Sequence, residues 1–371
     1  MDTEDKIILD IPALEAPLKE TPKKKLSPSA IPIAAAAVFA AFSLILHLSM
    51  AASAVDYIKE NGSRMLLSVI LPDYELSEPM VPPLPEDTEL GKEEKDKQYD
   101  FIIRNSDLST NAEYGLALTN ETSYTPDLHH LLFSDRPSPS KADADRLYST
   151  SAPKVLIYHS HATEGYAETA GTGFRTSDDE LNTVAIGAII TEVLEKAGIP
   201  TVHLQTRFDE KDWSAAYDNS NAAVTSVLRD NPSIQYIFDV HRDCIGNSDE
   251  GYVRAATTVY GKDTAQLMFV CGTDEGGSGH TGWRSNLTFA LQLQSEIFGS
   301  HPSLMRPVNL RRASFYQSTS PSSLILECGT CAGTLREAKR SAVIFAKELC
   351  DYIYGYDCGL DTEALINSLC P

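Results

Sequence analysis

The chain has 371 residues, of which 42% are hydrophobic, so its length suits two or three domains and its composition supports a sizeable core. Lysine and arginine total 31 against 52 aspartates and glutamates, which gives a formal net charge of −21 at pH 7. This balance argues against nucleic acid as a partner, because neutralising phosphates requires clustered lysine and arginine, and against close electrostatic docking on anionic lipid.

The N-terminal region predicts a membrane anchor. We expect residues 1–29 to form a cytoplasmic tail and residues 30–54, an uncharged stretch rich in Ala, Leu, Ile and Phe, to form a transmembrane helix. Three consecutive lysines ending at Lys25 would keep the N-terminus inside and send the rest of the chain outside. The alternative is a cleaved signal peptide, because Ala52-Ser53-Ala54 fits the cleavage pattern. Both interpretations export the C-terminal part.

Two further segments precede the main domain, which we expect at residues 151–371. Residues 55–100 predict an extended acidic linker, because the stretch from 71 to 100 holds five prolines and ten acidic residues against three lysines. Such a composition cannot bury a core. Residues 101–150 predict a membrane-proximal segment, which is either a small subdomain or an arm packed on the main domain.

Strand and helix patterns alternate along the main domain. The first predicted elements are a strand at 154–158, a helix from the Ser177–Glu180 capping box to near Gly198, a strand at 201–204, a helix at 215–228 and a strand at 234–240. The later ones are strands at 254–260 and 266–271, a helix at 283–298, a strand at 323–326 and a helix from the Thr334–Glu337 capping box to about Tyr352. This alternation predicts an α/β fold, a mostly parallel sheet with helices on both faces.

Side chains that bind metals or move protons follow three of the predicted strands. They are, in chain order, His159 and His161 after the first strand, His241 after the third and Glu327 after the last. Ligands bind outside the carboxyl ends of strands in open α/β sheets, so these groups are expected to meet at one edge. Each of these residues also has a purely structural interpretation. His159 and His161 would be two partly buried imidazoles, and His241 would pack beside an Arg242–Asp243 pair. Glu327 would cap a helix or form a salt bridge.

Zinc suits this set of side chains better than other metals. Imidazole and carboxylate are standard zinc ligands, and a catalytic zinc keeps three protein ligands and one water. Zinc lowers the pKa of that water to about 7, and a nearby carboxylate then serves as general base. The sequence contains neither a phosphate-binding P-loop motif nor a GxSxG nucleophile motif. We therefore expect a zinc hydrolase site.

The seven cysteines are odd in number, which in an exported chain leaves at least one thiol free or paired with another molecule. Cys328 and Cys331 have the spacing of a redox motif, but the expected strand–helix context is missing. A local disulfide between them, or two packed thiols, is the favoured interpretation. A zinc held by four cysteines is disfavoured, because no second pair with this spacing exists.

Several ordered motifs resemble the stage II sporulation protein P family. Residues 154–166, which read KVLIYHSHATEGY, resemble its IYHTHTSESY signature, and Asp239–Asp243 resembles its DIHRD motif. The remaining matches are residues 120–124 before the main domain, 268–273 to MFVVGT, 283–287 to W..NL, 326–329 to IEIG and 334–338 to NTLEEA. The resemblance covers about residues 101–355. Departures are Gly333 in place of an asparagine, Phe315-Tyr316-Gln317 in place of YNQ, and the two cysteines that flank the Glu327 loop.

The resemblance implies a zinc-dependent N-acetylmuramoyl-L-alanine amidase at residues 151–371, with a fold like that of LytC-type amidases. Such an enzyme separates muramic acid from the stem peptide of peptidoglycan, and an endopeptidase activity is also implied. It implies a role in engulfment of the forespore, on the extracytoplasmic side of the membrane in the septal or intermembrane space, with sporulation proteins D and M as partners. The alternatives are a zinc endopeptidase on peptidoglycan cross-links and an inactive wall-binding scaffold.

The same resemblance assigns roles to individual residues. His161 fits the first metal-binding histidine better than His159, which stays a candidate ligand, and His241 fits the second. Glu327 fits the catalytic glutamate. Glu164 is chosen as the middle ligand over Asp178 and Glu180, the latter of which already belongs to a capping-box pattern. Further candidates are Arg242 as a catalytic residue, and Arg312 and Gln317 as substrate-binding residues.

Overall fold

A computed structural model describes residues 101–110, 112–134 and 151–370. Among these residues, no helix combines the length and the apolar character needed to cross a bilayer. The cytoplasmic tail, the transmembrane helix at 30–54 and the acidic linker at 55–100 that the sequence predicts lie outside the described residues. All described residues belong to one structural unit.

The described residues form eleven strands and six α-helices. The strands are β1 (Ile103–Ser106), β2 (Leu118–Asn120), β3 (Val155–Tyr158), β4 (Thr201–His203), β5 (Tyr236–Asp243), β6 (Gly246–Asn247), β7 (Gly251–Val259), β8 (Lys262–Ala265), β9 (Leu267–Gly272), β10 (Val308–Arg311) and β11 (Ser322–Thr330). The helices are α1 (Leu128–Leu132), α2 (Thr183–Lys196), α3 (Ala216–Asp230), α4 (Trp283–Ser300), α5 (Leu335–Tyr354) and α6 (Thr362–Leu369).

Seven strands form the central sheet, in the order β2-β10-β9-β11-β5-β3-β4. Neighbouring strands are parallel at every position except between β9 and β11, which run antiparallel. Strands β3 and β9 are short, apolar and buried on both faces, as expected for strands covered by helices on both sides. The predicted α/β class is therefore confirmed.

The two faces of this sheet differ in character. Helices α2, α4 and α5 pack in the main hydrophobic core, where Ile190, Leu291 and Phe345 join sheet residues such as Phe238. On the opposite face, Val224 of α3 packs with apolar residues of β3 and β5. Because side chains alternate along a strand, β5 directs Phe238 and Val240 toward the main core and leaves Asp239 and His241 for the α3 face.

The start of α2 differs from the predicted capping box. Ser177 does not cap the helix; the cap is Asn182, whose side chain accepts a hydrogen bond from the Val184 amide at 2.9 Å. Residues between them form a turn, in which the Asp178 carboxylate accepts from the Glu180 amide at 3.0 Å. The capping box at the start of α5 is confirmed, because the side chains of both of its residues make the reciprocal bonds.

A second, smaller sheet was not expected from the sequence. It has the order β1-β7-β6, with β8 paired to β7. Arg254 of β7 ties it to the main body, because its guanidinium contacts Glu337 at 2.8 Å and Asp263 at 2.7 Å. The strand predicted at 254–260 thus exists as β7 but belongs to this sheet. Residues 101–134 contribute β1 to the small sheet and β2 to the edge of the central one.

A disulfide joins the segments that follow β5 and β11. It links Cys244 to Cys331, so the local bridge expected between Cys328 and Cys331 is wrong. Cys328 is a buried thiol whose sulfur lies 3.3 Å from the carbonyl of Ala338. Side chains at the ends of neighbouring parallel strands meet in space however far apart they lie in sequence, which spacing along the chain does not reveal.

We expect a Cys244→Ser, Cys331→Ser double variant to be less stable by roughly 2–5 kcal/mol, because the bridge closes a loop across 87 residues of the unfolded chain. Denaturant unfolding of the full-length protein measures the difference. Dithiothreitol should lower the wild-type protein to the level of the variant and leave the variant unchanged. A wild-type protein whose stability does not change on addition of dithiothreitol would contradict the disulfide.

Candidate metal centre and active site

Three of the predicted ligands meet on the α3 face of the central sheet. His161 and Glu164 lie in the loop after β3, and His241 lies near the end of β5. Each offers a ligand atom, and these atoms all lie within 4.8 Å of one another. Glu164 is central: its Oε1 is 3.8 Å from Nδ1 of His161, and its Oε2 is 3.3 Å from Nδ1 of His241. All three side chains are buried.

The donor atoms of this group fit a zinc ion. Nε2 of His161 is buried without a hydrogen-bond partner, and burial lowers the pKa of this imidazole to about 4, so it is neutral and able to bind a metal. Burial works to raise the pKa of Glu164, but Arg242 and His241 outweigh it and hold the pKa at about 2. Two imidazoles and one carboxylate are a usual set for catalytic zinc.

Asp239 and Ser160 orient His241 from behind. Nε2 of His241 lies 3.0 Å from Oδ1 of Asp239 and 2.8 Å from the Ser160 hydroxyl, which leaves Nδ1 directed at Glu164. Ser160 in turn donates its amide and its hydroxyl to the two carboxylate oxygens of Asp239, both at 2.7 Å. A histidine held through its second nitrogen by a carboxylate is a common arrangement behind metal ligands.

We expect Asp239→Asn to weaken zinc binding by about 10- to 100-fold, because the neutral amide no longer fixes the imidazole or raises its basicity. Competition against a chromophoric chelator measures the affinity. Asp263→Asn, which removes a carboxylate from the small sheet, is the matched control and should bind zinc as the wild type does. Equal affinity in the two variants would show that Asp239 does not support the ligand.

Arg242 holds Glu164 in place. Its backbone amide donates to Oε2 of Glu164 at 3.1 Å, and its Nη1 lies 3.7 Å from Oε1. The other guanidinium donors bond to the carbonyl oxygens of Gly165 and Phe174, at 2.8 and 2.9 Å. The buried guanidinium thus bonds to the loop after β3, and these contacts are those of a residue that positions Glu164.

Glu327 lies beside the group, on the neighbouring strand. It is directly opposite His241 in the β5–β11 pairing, so both side chains share the α3 face. Its Oε2 is buried without a hydrogen-bond partner, and burial raises the pKa of this carboxyl to about 8. The strand pairing shifts register just after it, where Gly329 adopts a positive φ of 79°. Glu327 also lines a cavity of about 320 Å³.

The remaining candidates lie elsewhere. His159 is absent from the three-residue group: its Nδ1 lies 2.9 Å from the Val240 carbonyl, and its Nε2 lies 2.9 Å from Nε2 of His203. Gln317 is buried and uses its amide to bridge Gly272 and Val270 of β9, at 2.7 and 2.8 Å.

Among the charged candidates, Arg312 is 68% exposed and pairs with Glu275 at 3.3 Å. The alternative middle ligands Asp178 and Glu180 are not in the metal-binding group. The structure therefore brings Glu164 to the two histidines rather than either of them.

A second group of possible ligands lies at the end of α5. It consists of Asp351, Asp357 and Cys358. Lys347 already occupies the space between the two carboxylates, at 2.5 Å from Asp351 and 3.5 Å from Asp357. In the His161 group the neighbouring guanidinium, that of Arg242, lies at 3.7 Å from one oxygen of Glu164, so this group is the stronger metal candidate in the described part of the chain.

Two aromatic side chains around the site had no signal in the sequence. Trp213 stacks on the ring of His161, with centroids 3.6 Å apart, and Tyr217 lies 5.0 Å from the same ring. Trp213 lies in the segment that leads into α3 and Tyr217 lies in its first turn, and only the folded chain brings them to the loop after β3. Asp239 did carry a signal, since it stands two positions before His241 on the same strand face.

The fold and the site together define an α/β protein with a buried His–Glu–His group and an unpartnered glutamate beside it. The chain belongs to the stage II sporulation protein P family, whose model matches residues 73–349. The resemblance read from the motifs is thereby confirmed.

Known proteins similar to this chain include stage II sporulation protein P of Bacillus subtilis (strain 168), which is 28% identical over 204 residues. That match covers 51% of this chain, and the chain spans about half (48%) of the length of that relative.

Among solved structures, N-acetylmuramoyl-L-alanine amidase AmiC2 of Nostoc punctiforme aligns with 56% of this chain and 97% of its own, at a TM-score of 0.34 and 16% identity. An N-acetylmuramoyl-L-alanine amidase from Clostridium difficile 630 aligns with 56% of this chain and 95% of its own, at 0.32 and 17%.

Proposed function

We propose that the chain is a zinc-dependent peptidoglycan hydrolase of sporulation, which cleaves the amide bond between N-acetylmuramic acid and the L-alanine of the stem peptide. The observation that carries this proposal is the buried group of His161, Glu164 and His241 beside the unpartnered carboxyl of Glu327. Membership of the stage II sporulation protein P family supports the biological setting.

In the proposed site, His161, Glu164 and His241 would hold zinc, which supplies a Lewis acid that activates water and polarises the scissile carbonyl. Glu327 accepts a proton from the attacking water and returns it to the peptide nitrogen as the carbon–nitrogen bond breaks. Burial raises the pKa of this carboxyl to about 8, so its ionised form is a stronger base than an exposed carboxylate, and its protonated form carries the proton that the peptide nitrogen receives. Asp239 and Arg242 keep His241 and Glu164 oriented throughout.

The cellular setting is proposed on the sequence and the family. A transmembrane helix at 30–54 would hold the chain in the cytoplasmic membrane, with the domain at 151–371 outside it in the septal or intermembrane space of a sporulating cell. Sporulation proteins D and M are the proposed partners, and the engulfment of the forespore is the proposed process.

Product analysis tests this function. The purified full-length chain, kept in mild detergent, is incubated with peptidoglycan sacculi with and without a zinc chelator, and the released products are identified by mass. We expect free stem peptides and peptide-free glycans, both lost on chelation. Cleavage confined to cross-links would instead establish an endopeptidase. No release with any metal, with the partner proteins added, would contradict the hydrolase and favour the wall-binding scaffold.

A further inference from the structure

A cavity of about 320 Å³ opens beside Glu327, on the side away from the loop after β3. We infer that this cavity binds the first residues of the stem peptide, on the leaving-group side of the scissile bond. The inference rests on the proposed function and adds to it which part of the substrate enters which part of the site. The cavity is called the Arg306 cavity below, and its walls include Arg306, Asn309, Met268, Ile325 and Glu327.

The floor of the Arg306 cavity continues the sheet face that carries the metal-binding group. Glu327 is paired with Met268 of β9, and Ile325 is paired with Val270. Val270 is paired in turn with Asn309 of β10. Because paired residues share a face of the sheet, these side chains extend in one layer from His241 to the far strands. Met268, Val270 and Ile325 form a separate apolar cluster, which gives the cavity a hydrophobic base.

Besides Oε2 of Glu327, two polar atoms at the cavity are buried without a hydrogen-bond partner. Arg306 is 7% exposed, and its Nη2 donates to Asp243 at 2.7 Å, while its Nη1 donates to nothing. Oδ1 of Asn309 accepts nothing. Leaving a buried donor and a buried acceptor unused is costly, so such atoms in a cavity point to a ligand that completes them. The missing partners are one acceptor and one donor.

A peptide supplies this combination. Each peptide unit carries one carbonyl acceptor and one N–H donor, and small side chains such as alanine methyl groups suit the apolar base. The N-acetyl groups of the glycan also carry one carbonyl and one N–H each, but they are uncharged, whereas the stem peptide adds carboxylates, which bind a guanidinium more strongly. A volume of about 320 Å³ is at the small end of ligand sites, so the first residues of the peptide fill it.

The proposed reaction also places the peptide in the Arg306 cavity and the sugar on the other side of the metal-binding group. Glu327 returns a proton to the peptide nitrogen, so this nitrogen must approach Glu327. The peptide then continues from there into the space that Glu327 lines, which is the Arg306 cavity. The sugar lies on the other side of the metal-binding group, toward the exposed ring of Trp213, which is 42% accessible.

Binding measurements on the full-length chain test this assignment. A synthetic peptide that begins with L-alanine and γ-linked D-glutamate, and separately a peptide-free glycan, are titrated by calorimetry. We expect Asn309→Ala to weaken peptide binding by about 5- to 10-fold through loss of one hydrogen bond, and Arg306→Lys by about 10-fold or more. Glycan binding should not change. Asn219→Ala and Arg229→Lys, at exposed positions of α3, are matched controls and should behave as the wild type.

Three results would overturn the assignment: peptide affinity that is unchanged in both cavity variants, glycan affinity that falls instead, or a wild-type chain with no affinity for the peptide. Asn309→Ala leaves the Arg306–Asp243 pair intact, so its peptide affinity still tests the assignment if the Arg306→Lys variant does not fold. The two proposals fail separately. A chain that binds the peptide through this cavity but releases nothing from sacculi refutes the hydrolase, whereas cleavage with unchanged peptide affinity in both variants refutes only the cavity.

Discussion

Glu327→Gln is expected to reduce the release of stem peptides by about 10²- to 10⁴-fold, the usual effect of removing a general base. The amide has the shape of the carboxyl group but cannot accept and return a proton. Because Oε2 makes no hydrogen bond in the folded chain, the substitution breaks no existing contact there. Initial rates on sacculi, followed by the appearance of free peptide, measure the loss.

The informative control is the zinc content of the same variant. Glu327 is outside the metal-binding group, so Glu327→Gln should bind zinc as tightly as the wild type. Because the pKa of Glu327 is raised to about 8, ionising this carboxyl destabilises the folded chain, so the variant should be at least as stable as the wild type above pH 8. A variant that keeps its activity would show that another group serves as base.

His161→Ala is expected to weaken zinc binding by more than about 100-fold. This loss is larger than the one expected for Asp239→Asn, because Asp239 only orients a ligand whereas His161 is a ligand itself. Activity should disappear with the metal. His161 is the favourable ligand to remove, because its Nε2 has no partner in the folded chain and its neutral ring leaves no unpaired charge behind. Zinc content after dialysis and the rate on sacculi report the two losses.

His159→Gln is the matched comparison, two positions earlier in the same motif. His159 bonds to Val240 and His203 and is not in the metal-binding group, so its variant should keep the metal even if it loses stability. The opposite pattern, in which the His159 variant loses zinc and the His161 variant keeps it, would reverse the assignment of the first ligand.

Sequence patterns predicted the parallel elements of the central sheet well. Buried parallel strands are apolar runs of recognisable length, and the helices between them have clear periodicity, so β3, β5 and β9 and the helices α3 and α4 were found close to their observed bounds. The small sheet was missed because its strands are short and mixed in polarity, as in Lys262–Ala265 of β8. Strand β10, only four residues long, gave no distinct pattern.

Ser177 shows why a local signature can mislead. Its motif has the residues of a capping box, yet the chain makes a further turn before Asn182 starts the helix. Tertiary contacts decide between such neighbouring starts. The bridge between Gly165 and Asn182 fixes the turn against the loop that carries Glu164.

The site was predictable only to the extent that strand ends define it. His161 and His241 follow buried strands, and the parallel order of β3, β5 and β11 brings them and Glu327 to one edge. Arg306 was missed because it stands in a loop before β10, where no pattern marks it. Arg312, which lies six positions later, is the arginine that the sequence analysis named as a substrate-binding candidate, and only the folded chain distinguishes a buried guanidinium from an exposed one.

X-ray absorption at the zinc edge of the loaded full-length chain tests whether His161, Glu164 and His241 hold the metal. We predict one zinc per chain with a shell of imidazole nitrogen and carboxylate or water oxygen, in which no sulfur is present. A smaller imidazole contribution in His161→Ala, or loss of its zinc, would assign that shell to the group of His161, Glu164 and His241. A sulfur ligand, which would place the metal at Asp351, Asp357 and Cys358 instead, or a chain that binds no zinc, would contradict it.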